Sequence, residues 1–392
     1  MNLSRRVLPI IVFSQFCGTS LWFASNAVIS EIASSFALSP GAMGHLTSAV
    51  QFGFITGTLV FAIASIADRF SPSRVFFASA ALGAIANLGT TLDSNTLASL
   101  LSFRFVTGFF LAGIYPVGMK IAADYFQKGL GKSLGYLVGA LVLGTAFPHL
   151  LKGLELQLPW KAVLFVTSGL AFLGGILVLT MVPDGPHRST GNKLAPAAFF
   201  KVFESAPFRA AAFGYFGHMW ELYAFWAFVP VILESYQALH TDVVFNTPLL
   251  SFLIIAVGTI SCIVGGYLSL QKGTKKVATL ALFISGFCCL VSPFFISLGI
   301  TWLFLLFLFI WAMVVIADSP LFSTLVAQHA SPEVKGTALT IVNCIGFAIT
   351  IVSIQLLNML QSHIAPQFLY LLLAVGPVIG LWMLFKNRTT MA

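Results

Sequence analysis

Apolar residues run along this chain in long stretches that short polar segments interrupt. An α-helix needs about 20 mostly apolar residues to cross the hydrocarbon of a bilayer. Stretches of that kind occupy residues 7–30, 42–66, 75–92, 98–121, 133–151, 162–182, 210–233, 249–270, 277–298, 301–326, 336–360 and 368–385. They predict an all-α integral membrane protein with twelve transmembrane helices. Met1 to Arg6 and the apolar run behind them have the order of a secretory signal, but the run exceeds the about 7–15 residues of such a core, and eleven more runs follow. It reads as the first span.

Composition agrees with a bilayer as solvent. Only 8% of the 392 residues are charged and 58% are hydrophobic, whereas soluble proteins carry roughly 25% charged residues. In water, 39 Phe would leave apolar patches that aggregate. The net charge of +8 does not point to nucleic acid, because Lys and Arg are scattered between apolar runs instead of clustering on one face. It follows from topology instead. With the N-terminus inside, 17 of the 20 Lys and Arg fall on the cytoplasmic side, Lys152 and Lys161 fall outside, and Arg104 lies within the membrane. Cys17, Cys262, Cys288, Cys289 and Cys344 all sit in apolar runs and read as reduced packing residues.

The longest internal hydrophilic stretch opens at Pro183-Asp184-Gly185-Pro186-His187-Arg188 and divides the spans six and six. The expected organisation is a bundle over 1–183, a cytoplasmic linker over 184–209 and a second bundle over 210–392. The halves echo each other: Tyr115-Pro116 in the fourth span matches Ser319-Pro320 in the tenth, and basic loops at 69–74 and 272–276 take the same place in each half. Internal repeats of this kind build transporter folds, with the substrate site near mid-membrane.

Two segments carry a family resemblance. Ala64-Ser-Ile-Ala-Asp68-Arg69-Phe-Ser71-Pro72-Ser73-Arg74, between spans two and three, resembles the G-x-x-x-D-R-x-G-R-R loop of the major facilitator superfamily. Arg104-Phe-Val-Thr-Gly108-Phe-Phe-Leu-Ala-Gly113 is similar to that family's R-x-x-x-G-x-x-x-x-G. Ala64, Ser71, Pro72 and Ser73 depart from the loop pattern, and the fifth span has Gly135, Gly139 and Gly144 without the Gly-Pro pair of drug/proton antiporters. The resemblance implies two pseudo-symmetric six-helix bundles working by alternating access, with helices 1, 4, 7 and 10 around a central cavity. It also implies a bacterial inner membrane location with both termini cytoplasmic.

An ionisable side chain at mid-bilayer costs on the order of 2.5–3.5 kcal/mol on insertion scales, so it usually serves a function. Arg104, Glu221 and Asp318 are such cases, on spans four, seven and ten, and His218 stands one turn before Glu221. Helical spacing groups Gln15, Thr19, Trp22 and Asn26 on span one, and Arg104, Gly108, Leu111 and Tyr115 on span four. It groups Tyr215, His218, Glu221, Leu222 and Phe225 on span seven, and Trp311, Asp318 and Phe322 on span ten. Together these predict an aromatic-lined site with a few polar groups.

Arg104 keeps its proton and suits a fixed positive charge, while Glu221, Asp318 and His218 are candidate proton carriers. The alternative is an Arg–acid pair that only fixes helix packing. Asp68 ends a helix whose dipole disfavours it and so needs a cationic partner or a facing helix N-terminus. In the resembled family this acid meets the start of helix 11, here about Gly336, and the loop Asp68, Arg69 and Arg74 serves as an inner gate. The alternative is a solvated Asp68 beside Arg69.

Other patterns fail on context. Gly131-Lys132-Ser133-Leu134-Gly135 matches a nucleophile elbow but begins a predicted membrane helix, and Gly129 to Ser133 lacks the first glycine of a phosphate loop. His218-Met219-Trp220-Glu221 lacks the second histidine of a zinc hydrolase, and Asn387-Arg388-Thr389 falls on a cytoplasmic tail. The expectation is a monomeric secondary transporter of a small polar or amphipathic solute, coupled to protons and embedded in lipid. It is not expected to be an enzyme, and neither cofactor nor nucleic-acid partner is expected. The competing readings are an intramembrane lipid-modifying enzyme using His218 and Glu221, a sensor that lost transport, and, within transport, efflux of drugs or metabolites in place of anion uptake. Arg104 favours an anion or zwitterion, whereas Glu221 and Asp318 favour a cation equally well.

Overall fold

The computed structural model describes residues 3–39, 41–126, 130–154, 159–188, 203–331 and 335–386. Residues 189–202, most of the expected linker, lie outside the described residues, as do Lys128, Lys193, Lys201 and the Asn387-Arg388-Thr389 triplet. The chain divides into two compact units, Met1–Lys193 and Leu194–Ala392. Twelve longer helices stand among the described residues.

The N-terminal unit holds α1 (Leu3–Thr19), α2 (Ala42–Ile63), α3 (Pro72–Gly89), α4 (Leu97–Tyr125), α5 (Leu130–Gly153) and α6 (Trp160–Met181). The C-terminal unit holds α7 (Ala206–Leu239), α8 (Thr247–Lys272), α9 (Thr274–Ser297), α10 (Thr301–His329), α11 (Lys335–Leu360) and α12 (Pro366–Lys386). Ten of these are long and apolar enough to cross a membrane. The other two expected spans are helical but fall short of that measure. α3 carries Arg74 and Asn87 within 18 residues, and α1 stops at Thr19 where an unbroken span to residue 30 was expected.

The early end of α1 has a local cause. Thr19 Oγ1 donates to Gln15 O at 2.8 Å and Ser20 Oγ to Cys17 O at 2.7 Å, hydroxyl bonds that compete with the backbone ladder. The chain then turns through residues 20–25 before a 3₁₀ turn at Asn26–Val28 and a short helix at Ile29–Ser35. Side chains from the turn reach α2: Trp22 Nε1 donates to Gln51 Oε1 at 3.1 Å, and Asn26 Nδ2 to Thr47 Oγ1 at 2.7 Å. Trp22 and Asn26 therefore do not continue one helical stripe with Gln15 and Thr19.

Two other breaks fall where the sequence repeats. α4 is Leu97–Leu111 followed by Tyr115–Tyr125, and α10 is Thr301–Ala317 followed by Ser319–His329. Each second segment is 11 residues long and carries Pro at its start, Pro116 and Pro320. Proline has no N–H for the carbonyl four residues back, so the ladder opens there. In α10 the Ile316 carbonyl accepts the Asp318 amide and, at 3.9 Å, the Cys262 thiol.

Small residues set the close crossings. A Cβ on Gly108 of α4 would lie 2.0 Å from Val50 O of α2, and one on Gly53 of α2 would lie 2.0 Å from Phe105 O. In the other unit, a Cβ on Gly217 of α7 would lie 2.4 Å from Gly376 O of α12. Backbones approach this closely only where no side chain intervenes. Gly273, between α8 and α9, has φ +88°, a conformation that favours glycine.

Candidate functional site

In the N-terminal unit the buried charge is Arg104 on α4, fully shielded from solvent. Its Nη1 donates to Leu21 O at 3.1 Å and its Nη2 to Trp22 O. Both carbonyls belong to the turn after α1. None of the ion pairs among the described residues involves Arg104. Its Nε has no hydrogen-bond partner among those residues, nor has Gln51 Nε2, linked to Arg104 through Trp22. Gln15, also fully buried, has both side-chain polar atoms unpartnered. Tyr115, expected on the Arg104 face, lies past the break in α4 and is only partly buried.

The C-terminal unit gathers the acids. Glu221 Oε1 accepts hydrogen bonds from Ser285 Oγ at 2.5 Å, Trp311 Nε1 at 2.6 Å and Cys289 Sγ at 3.3 Å. This joins α7 to α9 and α10, and brings Trp311 to the acid that sequence spacing placed on another helix. One turn earlier on α7, His218 Nδ1 lies 2.8 Å from Asp318 Oδ1. Asp318 occupies the break in α10, as the last cap of one segment and the first cap of the next. His218, Glu221 and Asp318 are each 1% exposed. Glu221 Oε2, His218 Nε2 and both carboxylate oxygens of Asp318 have no hydrogen-bond partner among the described residues, so the His218–Asp318 contact is a close approach and not an aligned hydrogen bond. Tyr215 OH donates to Asn343 Oδ1 of α11 at 2.6 Å, with its ring 6.1 Å from that of His218. Phe225 packs on Trp311 at 4.7 Å. Tyr223 faces away from this group, against Phe347 of α11 at 5.2 Å.

Asp68 lies in a short helix, Ile66–Arg69, which follows Ser65 in a left-handed conformation. It pairs with Lys120 of α4 at 2.9 Å, and Lys120 also reaches Asp124 at 3.8 Å. Arg69 and Arg74 are exposed, and neither joins an ion pair among the described residues. The basic group on this loop is Arg188, whose Nη2 donates to the carbonyls of Asp68 at 3.1 Å and Phe70 at 2.9 Å. Ser71 Oγ donates to Asp184 Oδ1 at 2.6 Å.

Sequence spacing missed Gln51, Lys120, Arg188, Ser285 and Cys289. Ser285 and Cys289 are four residues apart in an apolar helix, and Lys120 stands four before Asp124; that spacing is the one signal that marks them.

The chain matches one family profile over most of its length and known transporters over part of it. The Major Facilitator Superfamily profile matches residues 11–354. The 3-(3-hydroxy-phenyl)propionate transporter of Escherichia coli is 29% identical over 41% of this chain and 38% of that protein. The probable galactarate/D-glucarate transporter GudP of the same organism is 24% identical over 47% of this chain and 43% of its own length. The matches thus span less than half the length of these curated relatives. Among solved structures, a mutant of the nucleoside transporter NupG superposes with a TM-score of 0.74 at 16% identity, covering 99% of this chain and 100% of that one. A bacterial homolog of the human lysosomal transporter Spinster, inward-facing and occupied, gives 0.71 at 15% identity, with 100% and 98% covered. These likenesses show a shared fold. From the profile match across most of its length, this chain belongs to the Major Facilitator Superfamily.

Proposed function

We propose that this protein is a secondary transporter that carries a small organic anion across the membrane by alternating access, coupled to protons through the acids of the C-terminal unit. The observation that carries the reading is the state of Arg104. A buried guanidinium answered by carbonyl dipoles alone keeps its full charge, and among the described residues Arg104 Nε and Gln51 Nε2 are donors without acceptors. Unanswered buried donors cost about 1–3 kcal/mol each, a cost that an arriving carboxylate relieves. The two Escherichia coli relatives support an organic acid, since both are named for carboxylate solutes. Within the C-terminal unit His218, Glu221 and Asp318 supply protonatable groups and Tyr215 and Trp311 supply aromatic surface; within the N-terminal unit the Trp22 carbonyl accepts from Arg104.

Purified protein in liposomes is expected to take up labelled 3-(3-hydroxyphenyl)propionate or glucarate when the proton gradient is directed inward. Gln51→Glu keeps shape and can still accept from Trp22, but it gives Arg104 the acid it lacks. Uptake of either anion should fall by at least about tenfold, the size of one charge-assisted contact. Undiminished uptake by Gln51→Glu removes the anion assignment.

A further inference from the structure

α11 has two unlike open sides. At helical spacing its exposed apolar residues Ala348, Val352 and Met359 fall on one face, the face a spanning helix turns to lipid. Gly336, Leu339, Thr340 and Asn343 fall on the opposite face, and they too are exposed or half-exposed. Further along that face Phe347, Thr350 and Ile354 are buried. Asn343 is therefore the deepest open position of the strip, about 12 Å along the helix from Lys335. Its amide is held at one end only. Tyr215 OH donates to Asn343 Oδ1 at 2.6 Å, which fixes the carbonyl end on α7. Gly346 makes room for that contact, since a Cβ there would lie 2.6 Å from Tyr215 Cε1 and 3.0 Å from Met219 Cγ. The other end, Nδ2, takes part in none of the hydrogen bonds among the described residues. An amide nitrogen only donates. The chain has no lysine or arginine between Lys335 and Lys386, and α7 has none after Arg209. The open donor on α11 is thus neutral, and it suits a neutral oxygen better than a second carboxylate.

We infer that Asn343 is a specificity-determining residue for the carried solute: its Nδ2 donates to a hydroxyl oxygen of an organic anion, and Tyr215 positions it. This deepens the transport reading above and rests on it. A solute with the hydroxyl meets the free end of the amide. The same anion without it displaces water from that donor and puts nothing in its place, a loss that sites built to bind a hydroxyl turn into selectivity. Tyr215 acts through Asn343: with Oδ1 anchored, the amide plane is fixed and Nδ2 is held ready. Without the phenol, Asn343 is free to rotate, and ordering it falls to the solute.

The test uses the full chain in liposomes with labelled 3-(3-hydroxyphenyl)propionate and 3-phenylpropionate, two anions that differ by one hydroxyl. The wild type is expected to favour the first by at least about tenfold in kcat/KM, the scale of one hydrogen bond to a solute. Asn343→Leu should bring that ratio close to one. Tyr215→Phe keeps the ring and the amide but releases Oδ1, so its ratio should fall between the two; it carries the comparison if Asn343→Leu does not fold. A wild type without preference, or a ratio unchanged by these substitutions, overturns the assignment. A second measurement needs no transport. In detergent, Asn343→Cys is expected to react with a charged methanethiosulfonate and to be shielded by the hydroxylated anion, whereas Val352→Cys on the opposite face stays unreactive. The native cysteines, all buried, set the background. An unreactive Asn343→Cys overturns the assignment too. Wild-type liposomes that carry neither anion count against the anion-transport reading instead, and the labelling then decides by itself whether Asn343 faces water.

Discussion

Arg104 holds the frame of the N-terminal unit, and in the proposed transport it also meets the solute. Its two terminal nitrogens fork onto the Leu21 and Trp22 carbonyls, so the cation holds the turn that follows the short α1. Lysine offers a single ammonium in place of a planar fork. Arg104→Lys should therefore lose one of the two bonds and destabilise the protein by about 1–3 kcal/mol, the cost of a buried carbonyl left unmet. Thermal unfolding in detergent measures this, and an unchanged Tm would mean that the fork contributes nothing. The sequence marked Arg104 as out of place in lipid. It gave no sign that the partners were backbone carbonyls, because nothing local showed that α1 would stop at Thr19.

At the scale of elements, glycine placement decides which helices touch. Gly53 and Gly57 on α2 face α4 and Gly108 on α4 faces α2, so the two helices cross with backbones in contact. Gly108→Val would force its side chain onto the Val50 carbonyl, since even a Cβ there lies 2.0 Å away. That backbone cannot step aside without moving α2, so we expect at least about 1–3 kcal/mol of destabilisation and lower yield of monodisperse protein by gel filtration. Wild-type yield and stability for Gly108→Val would show that α2 yields at no cost. The same scale explains the broken spans. Pro116 and Pro320 are visible in the sequence, and their offset anticipated a repeat. That they begin separate 11-residue segments follows from the missing N–H of each proline.

For the molecule as a whole, charge along the chain predicts its sidedness. Lys275 lies in the first turn of α9, and Lys161 in the first turn of α6. A cysteine placed at Lys275 should react with a membrane-impermeant thiol reagent only when the cytoplasmic face is exposed, and one at Lys161 only from the opposite side; the reverse pattern would invert the topology. The sequence by itself determined the membrane class, the helical composition and the residues too costly to bury idly, because hydropathy and charge are properties of the chain in any conformation. Tertiary structure alone decided the partners. Asp68 meets Lys120, Glu221 collects Ser285, Cys289 and Trp311, and His218 finds Asp318. Each of these contacts joins helices far apart in sequence, so it depends on how helices pack and where they break, which periodicity within one helix does not encode.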